Sequence, residues 1–255
     1  MKVDLNADMG EGFGPWKMGD DAGLLQIVTS ANIACGAHAG DWDVMADTMR
    51  KAAAHGVGIG AHPGFADLQG FGRRPMAMSN ESVGRLVAWQ FGAARGVAAT
   101  VGAEVRHLKL HGALANMASR DRDLARAAYG AALRVDAHVI LLVLAGTEQE
   151  AAARELGADW AGEIFADRGY RDDATLIPRG TEGAMIDDPD AAAERMVRFV
   201  EAGAIIAASG HEIPAACDSI CLHGDGPGAV AIAQAVRDAL RGAGVALQPM
   251  AGRRA

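Results

Sequence analysis

Several residue types are scarce in these 255 residues, and each shortage removes a class of protein. There are three cysteines, Cys35, Cys217 and Cys221. An odd count with no close Cys pair argues against a disulfide framework and against structural zinc. Aromatics make up only 5% of the chain. Positive charge is in deficit, with a formal net charge of −8. No Lys/Arg cluster offers the electrostatic footprint of a nucleic-acid partner, and the short basic tail at Arg253 and Arg254 does not change this. Long apolar runs are missing too. The longest, V139-I-L-L-V-L-A145, is far short of a membrane span and reads as a buried strand. The first residues run directly into V3-D-L-N, leaving no room for a signal peptide, so a cytoplasmic protein is expected.

What is present is an alternation. Half of the residues are hydrophobic, enough for a substantial core, and 33 are glycine. Strands are expected at 2–7, 31–35, 57–61, 105–110, 138–144, 160–165 and 218–222. A short strand or excursion is expected at 203–208, and a small final strand at 245–248. Helices are expected between them: about 21–28, from a cap at Asp41 or Asp43 to about 55, from Ser79 to near Gly96, then 121–134, 147–156, 190–200 and 229–241. The segments 62–75 and 166–188 are too rich in Gly, Pro and polar residues to be regular. Strand, loop and helix repeated about seven times argue for a parallel sheet with helices outside, in one domain spanning 1–255.

An open doubly wound sheet and a closed barrel both fit that pattern. The ends of the strands favour the barrel. V3-D-L-N-A-D8, S30-A-N-I-A-C-G-A-H38, V57-G-I-G-A-H62, H107-L-K-L-H111, I164-F-A-D167 and S219-I-C-L-H-G-D225 each finish in polar residues. A barrel brings several strand ends to one central site, whereas an open sheet concentrates its site in one crevice. Residues two apart share a strand face, which groups Asp4, Asn6 and Asp8, then His107, Lys109 and His111, then Cys221, His223 and Asp225. Burying so many polar groups is costly unless they work.

The candidates follow from their chemistry. Asp8 is a potential base or metal ligand, while Asp4 has the simpler reading of a brace to a loop. Glu11 could enter the site or fasten the glycine-rich loop. His38 and His62 end analogous strands among small residues that let a substrate approach the backbone. His55 has a sufficient explanation at a helix C-terminus. Lys109, sharing a face with His111, suits a carboxylate, a phosphoryl group or a developing oxyanion. Arg168, following Asp167, could clamp a substrate carboxylate or tie its loop, and Arg73 and Arg74 carry the same ambiguity. Cys221 resembles a small core residue more than a nucleophile. The glycine-rich turns lack the phosphate-loop pattern and the dinucleotide fingerprint.

Seven segments, D4-L-N-A-D-M-G-E-G-F-G14, A31-N-I-A-C-G-A-H-A-G-D41, G58-I-G-A-H-P-G64, G70-F-G-R-R74, K109-L-H-G-A-L114, F165-A-D-R168 and C221-L-H-G-D225, resemble the LamB/YcsF family. They run from Asp4 almost to the last helix. The chain departs from the family pattern at Ala37, Leu110, Ala115 and Gly226, none of them an acid, base or cation. The resemblance implies an α/β fold, a seven-stranded variant of the β/α (TIM-like) barrel, related to polysaccharide-deacetylase-like folds. It also implies ATP-dependent opening of the lactam 5-oxoproline to glutamate, together with 5-oxoprolinase subunits B and C. On this reading Asp8, His38, His62, Lys109, His111, Asp167 and His223 carry the chemistry, and Asn6, Glu11, Arg73, Arg168 and Asp225 bind substrate. The related deacetylases use Asp and His to hold a metal, which suggests a divalent ion on Asp8, His38 and His62. Two other readings stay open: a stand-alone metal-assisted amidase or deacetylase, and a non-catalytic barrel that binds a ligand or regulates partners.

Overall fold

A computed structural model describes residues 1–223 and 228–254. In chain order the elements are β1 (Lys2–Met9), α1 (Asp21–Leu24), β2 (Ser30–Ala34), α2 (Trp42–Ala54), β3 (Gly58–His62), α3 (Asn80–Thr100) and β4 (Val105–Lys109). Then come α4 (Gly112–Ala118), α5 (Arg122–Val135), β5 (Ile140–Leu144), α6 (Glu148–Glu155), β6 (Asp159–Phe165), α7 (Pro189–Ala202), β7 (Ala204–Ile206) and β8 (Glu212–Pro214). The chain ends with β9 (Ser219–Leu222), α8 (Ala229–Gly242), β10 (Ala246–Leu247) and β11 (Arg253–Arg254).

Parallel pairing runs β1–β2–β3–β4–β5–β6–β9 and returns from β9 to β1. The ring is therefore closed, and the barrel expected from the strand ends is the one that forms. Apolar residues facing outward, such as Leu5, Ile33, Leu108, Leu141 and Ile164, join the helices in the main core. The polar residues are left to face the axis.

Short β9 begins opposite Asp4 of β1 and Glu163 of β6. Below it the edges of both neighbours would be bare. The tail covers them: β10 pairs with Lys2 and Val3, and β11 pairs antiparallel with Asp159 and Trp160. Met250, between the two, packs with Leu142 and Ala161 in a small apolar cluster. Backbone groups at the base of the barrel thus find partners.

Side-chain caps set the helix starts. Asp41, rather than Asp43, caps α2, accepting from Asp43 N and Val44 N at 2.9 Å each. Ser79, Asp121, Thr147 and Asp188 cap α3, α5, α6 and α7. Helix α3 passes the expected stop near Gly96, because buried Ala94 and Ala98 continue its inner face while Gly96 meets only open space. Helix α1 is shorter than expected. The region around 203–208 is the excursion considered as one option: β7 pairs antiparallel with β8, outside the barrel. Helix α4 was not expected; it packs Ala113, Leu114, Ala115 and Ala118 inward directly after β4. Among the described residues, no helix is long and apolar enough to cross a membrane.

One position tests the packing of the barrel interior. A Cβ on Gly60 would lie 2.1 Å from His107 Nε2, which is fixed to Asn32 Oδ1 at 2.9 Å. A Cβ on neighbouring Gly58 would meet nothing nearer than Ser30 Oγ at 3.2 Å. Gly60→Ala should cost about 1–3 kcal/mol, read as a lower urea midpoint at unchanged slope, and Gly58→Ala clearly less. Equal midpoints for the two variants would refute this packing.

Candidate active site

A hydrogen-bonded column runs up the barrel axis. At its foot the Asp4 carboxylate accepts from Thr29 Oγ1 at 2.6 Å, from Ser30 Oγ at 2.7 Å and from Ser219 Oγ. Burial nonetheless pushes its carboxyl up to about 6. Asp4 is a brace, but between strands and through three hydroxyls rather than to a loop. Above it Asn6 donates to Ser219 Oγ at 2.7 Å and accepts from Asn32 at 2.7 Å, and His107 donates to Asn32.

The next layer is centred on Lys109. Its ammonium lies 2.9 Å from Asp8 Oδ1, 2.8 Å from Glu163 Oε1, 3.0 Å from Cys221 Sγ and 3.3 Å from Asn6 Oδ1. Burial opposes the charge on Lys109, but Asp8, Cys221 and Glu163 outweigh it and hold the ammonium well above the usual lysine range. Burial also opposes ionisation of Asp8; His62 and Lys109 overcome it and hold that carboxyl well below its usual range. Glu163 is raised, because burial exceeds what Lys109 returns. One ammonium thus serves two carboxyls, whose shifts run in opposite directions, down at Asp8 and up at Glu163.

At the C-terminal rim three imidazoles meet. His62 Nδ1 donates to Lys109 O at 2.9 Å, which turns its Nε2 toward Asp8 Oδ2 at 3.2 Å and His111 Nδ1 at 3.0 Å. His111 Nε2 donates to Phe71 O at 2.8 Å. His38 stacks on His111 with ring centroids 3.7 Å apart, and its Nε2 is 4.0 Å from Glu11 Oε1. Burial pushes His111 down to about 3 and holds His38 well below the usual range. The loop 62–75 closes over this group. Phe71, at φ +54°, and Gly72, at φ +62°, turn the chain so that the Phe71 carbonyl reaches His111. A Cβ on Gly72 would sit 2.7 Å from His38 Cβ, so glycine is required there on two counts.

Across the rim, His223 Nδ1 lies 2.7–2.8 Å from both oxygens of Asp167. Burial raises the Asp167 carboxyl, but His223 outweighs it and the net shift is downward. Arg168 donates to Ala184 O at 3.1 Å and to Ile177 O at 2.6 Å, so its fork ties the loop 166–188. A cavity of about 410 Å³ opens beside these groups. Asp8, Glu11, His62, Arg73, Lys109, His111, Phe165, Arg168 and His223 all line it, together with Arg120 and Arg179.

The structure therefore gathers Asp8, Glu11, His38, His62, Lys109, His111, Asp167, Arg168 and His223 around one rim, with Arg73 at the cavity and Asn6 one layer down. Asp225 lies outside the described residues. Glu163, Asn32 and Cys221, none of them among the site candidates, touch the Lys109 layer. Their signal was strand alternation, since Glu163 shares a face with Phe165 and Cys221 with His223. Arg74 pairs with Asp67, and His55 closes α2 on Lys51 O, as a structural reading of each expects.

A closed ring of seven parallel strands with helices outside is a β/α-barrel, and its fold is related to that of the deacetylases. The catalytic domain of a peptidoglycan N-acetylglucosamine deacetylase from Eubacterium rectale shares that fold with a TM-score of 0.52 at 9% identity, over 98% of this chain and 88% of that one. The chain belongs to the LamB/YcsF family, which it matches over residues 3–255. It is 63% identical over 246 residues to the 5-oxoprolinase A subunit of Ruegeria pomeroyi, covering 96% of this chain and 97% of that one. A lactam utilization protein from Thermus thermophilus superposes with a TM-score of 0.92 at 44% identity, over 98% of this chain and 100% of that one.

Two tests follow from the buried charges. Lys109→Met strands two carboxyls and should cost about 3–5 kcal/mol, whereas Lys109→Met with Glu163→Gln should recover part of the loss. Urea melts of the two variants decide it, and a double variant no more stable than the single one refutes the shared ion pair. The second test concerns His107, which burial pushes down to about 3. The unfolded chain binds a proton near pH 6.5 that the folded barrel refuses, so stability falls as pH drops from 6.5 toward 3. His107→Gln should flatten that slope by up to about 1.4 kcal/mol per pH unit. An unchanged slope between pH 6.5 and 4.5 would show that His107 is not held neutral.

Proposed function

We propose that this chain acts, as one barrel domain over 1–255, as the A subunit of an ATP-dependent 5-oxoprolinase in the cytoplasm. The observation that carries the reading is near-full-length identity of 63% to a 5-oxoprolinase A subunit, joined to a cavity lined by Asp8, His62, Lys109 and His223. A lactam amide is a poor electrophile with a poor leaving group. Phosphorylation of the amide oxygen by ATP makes the carbonyl carbon attackable. Water adds there, the carbon–nitrogen bond breaks with a proton delivered to nitrogen, and a second water releases phosphate from the acyl phosphate so formed. In sum, 5-oxoproline, ATP and two waters give glutamate, ADP and phosphate.

Each step has a candidate group. Asp8, held well below its usual range beside the cavity, is the group assigned to orient a water and take its proton, with His62 next to it. The Lys109 ammonium, backed by Asp8 and Glu163, supplies positive charge where negative charge develops, with His111 beside it. Asp167 holds His223 by Nδ1, which leaves Nε2 to deliver a proton to the leaving nitrogen. Arg73, with Arg120 and Arg179, offers cations for the substrate carboxylate or phosphoryl group, while Arg168 shapes the loop beneath them. His38 and His62 would help to hold a divalent ion, which would supply Lewis-acid chemistry at the rim.

The sequence carries no phosphate-loop pattern, so phosphoryl transfer is assigned to partner subunits B and C, docked over the rim to keep the intermediate from bulk water. Glutamate formed from 5-oxoproline and ATP should appear with the three subunits together and be absent or slight with this chain alone. In the complex, Asp8→Asn and His223→Asn should each lower kcat by about 10²–10⁴. A competent complex that makes no glutamate would refute the substrate. ATP-independent amide hydrolysis by this chain alone would instead favour the stand-alone amidase.

A further inference from the structure

The imidazole cluster has a hydrogen-bonding problem that protons do not solve. His62 spends its Nδ1 proton on Lys109 O, and His111 spends its Nε2 proton on Phe71 O. In the neutral rings the remaining nitrogens, His62 Nε2 and His111 Nδ1, are both lone pairs, yet they face each other at 3.0 Å. Asp8 Oδ2, a third acceptor, stands 3.2 Å from His62 Nε2. One added proton on His62 would relieve those contacts. It would do nothing for His38, which is 1% exposed and has no hydrogen-bond partner for either nitrogen among the described residues. Buried polar atoms without partners are rare and call for an explanation.

We propose that His38, His62, His111 and Glu11 form a binding site for one first-row divalent cation, with Asp8 left outside the donor set. Each of the four offers one atom, and those atoms all lie within 4.8 Å of one another. The separations of 3.0 Å for His62–His111 and 4.0 Å for His38–Glu11 lie in the range expected around one ion. Bonds of about 2.0–2.2 Å place neighbouring and opposite donors roughly 2.9–4.3 Å apart. Backbone carbonyls already orient two of the rings through their far nitrogens, the arrangement that metal-ligating histidines use. Three imidazoles and one carboxylate suit zinc, cobalt or nickel better than magnesium or calcium.

A second group of potential donors, Asp8, Cys221 and His223, also lies within reach of a single ion. It is a poor rival, because the Lys109 ammonium is 2.9 Å from Asp8 and 3.0 Å from Cys221. A cation already occupies that position, and a second would be repelled. The four-residue set therefore keeps Asp8 on Lys109 and free to act on water, unlike the set of Asp8, His38 and His62 that the resemblance to the deacetylases suggests. The inference concerns what these side chains bind, and it holds whether or not 5-oxoproline is the substrate.

Full-length protein is stripped with chelator, dialysed and titrated with zinc chloride by calorimetry, and separately with cobalt chloride under visible absorption. One equivalent should bind, and cobalt should give d–d bands of a nitrogen-rich site. His38→Ala and His111→Ala should weaken binding at least 100-fold, and Glu11→Gln should alter the cobalt bands. His55→Ala, on the α2 terminus, should change nothing, and Cys221→Ser should leave the stoichiometry at one. Circular dichroism checks the fold; if His38→Ala does not fold, His38→Gln replaces it. Failure to bind a stoichiometric ion overturns the proposal, as does binding that survives loss of His38 or that requires Cys221. None of these readings depends on turnover.

Discussion

The rest of this barrel depends on one buried ammonium. Lys109 stands on the axis with Asp8, Glu163, Cys221 and Asn6 around it. Without it, two carboxyls in an enclosed interior would have to be neutral or leave, and the column below would lose its upper partner. With it, the interior can be polar at almost every level. Asp4 is held by three hydroxyls, Asn6 and Asn32 relay to His107, and the small cluster around Met250 forms an apolar cap at the base. Such a core is a costly way to gain stability, since a hydrophobic filling of the same volume would serve as well or better. Its retention makes sense if the polar groups are wanted at the top.

The loop 62–75 converts that polar column into a site. It leaves β3 at His62, crosses the rim and returns to α3, and on the way it fastens to β4 and α4. Pro63 O accepts from His111 N and Gly72 O accepts from Ala113 N, both at 2.9 Å. Phe71 is held in a left-handed conformation that a bulky side chain seldom adopts. The strain brings the Phe71 carbonyl to His111 and its ring edge-on to His38 and His111. The imidazoles are thus walled in before any ligand arrives, and the preorganisation is provided by the backbone of this loop.

Much of this was legible because strand alternation and strand ends are local signals. Asp8, His62, Lys109 and Asp167 could be placed at one rim from their positions at strand ends, and helix starts could be placed near Ser79 and Asp121. The unread parts depend on contacts between distant segments. Arg168 looks like a substrate clamp by type, but its partners are carbonyls at 177 and 184 that no pattern announces. Helix α4 follows β4 without a capping side chain, so it carried no start signal. Strand β11 is two arginines, apolar nowhere, and exists because β6 has a bare edge to cover. Glu163 shares its face with Phe165 and was visible as such. Its importance came from Lys109, 54 positions earlier, and only the closed barrel brings them to 2.8 Å.

Asp8 joins the two charged centres. Its Oδ1 takes Lys109 and Asn32, and its Oδ2 faces His62. The carboxylate is shared, so charge added at the imidazole cluster pulls on the same group that steadies the ammonium. If the imidazoles gain a cation, its charge acts on Oδ2 while Oδ1 stays on Lys109 and Asn32. If they are uncharged, Asp8 belongs chiefly to Lys109. In a low-dielectric interior such competition is strong, because no solvent screens one neighbour from the other. The rim is therefore one electrostatic unit rather than a set of independent side chains. Glu163 belongs to that unit too, its carboxyl raised even with Lys109 beside it because burial exceeds what the ammonium returns.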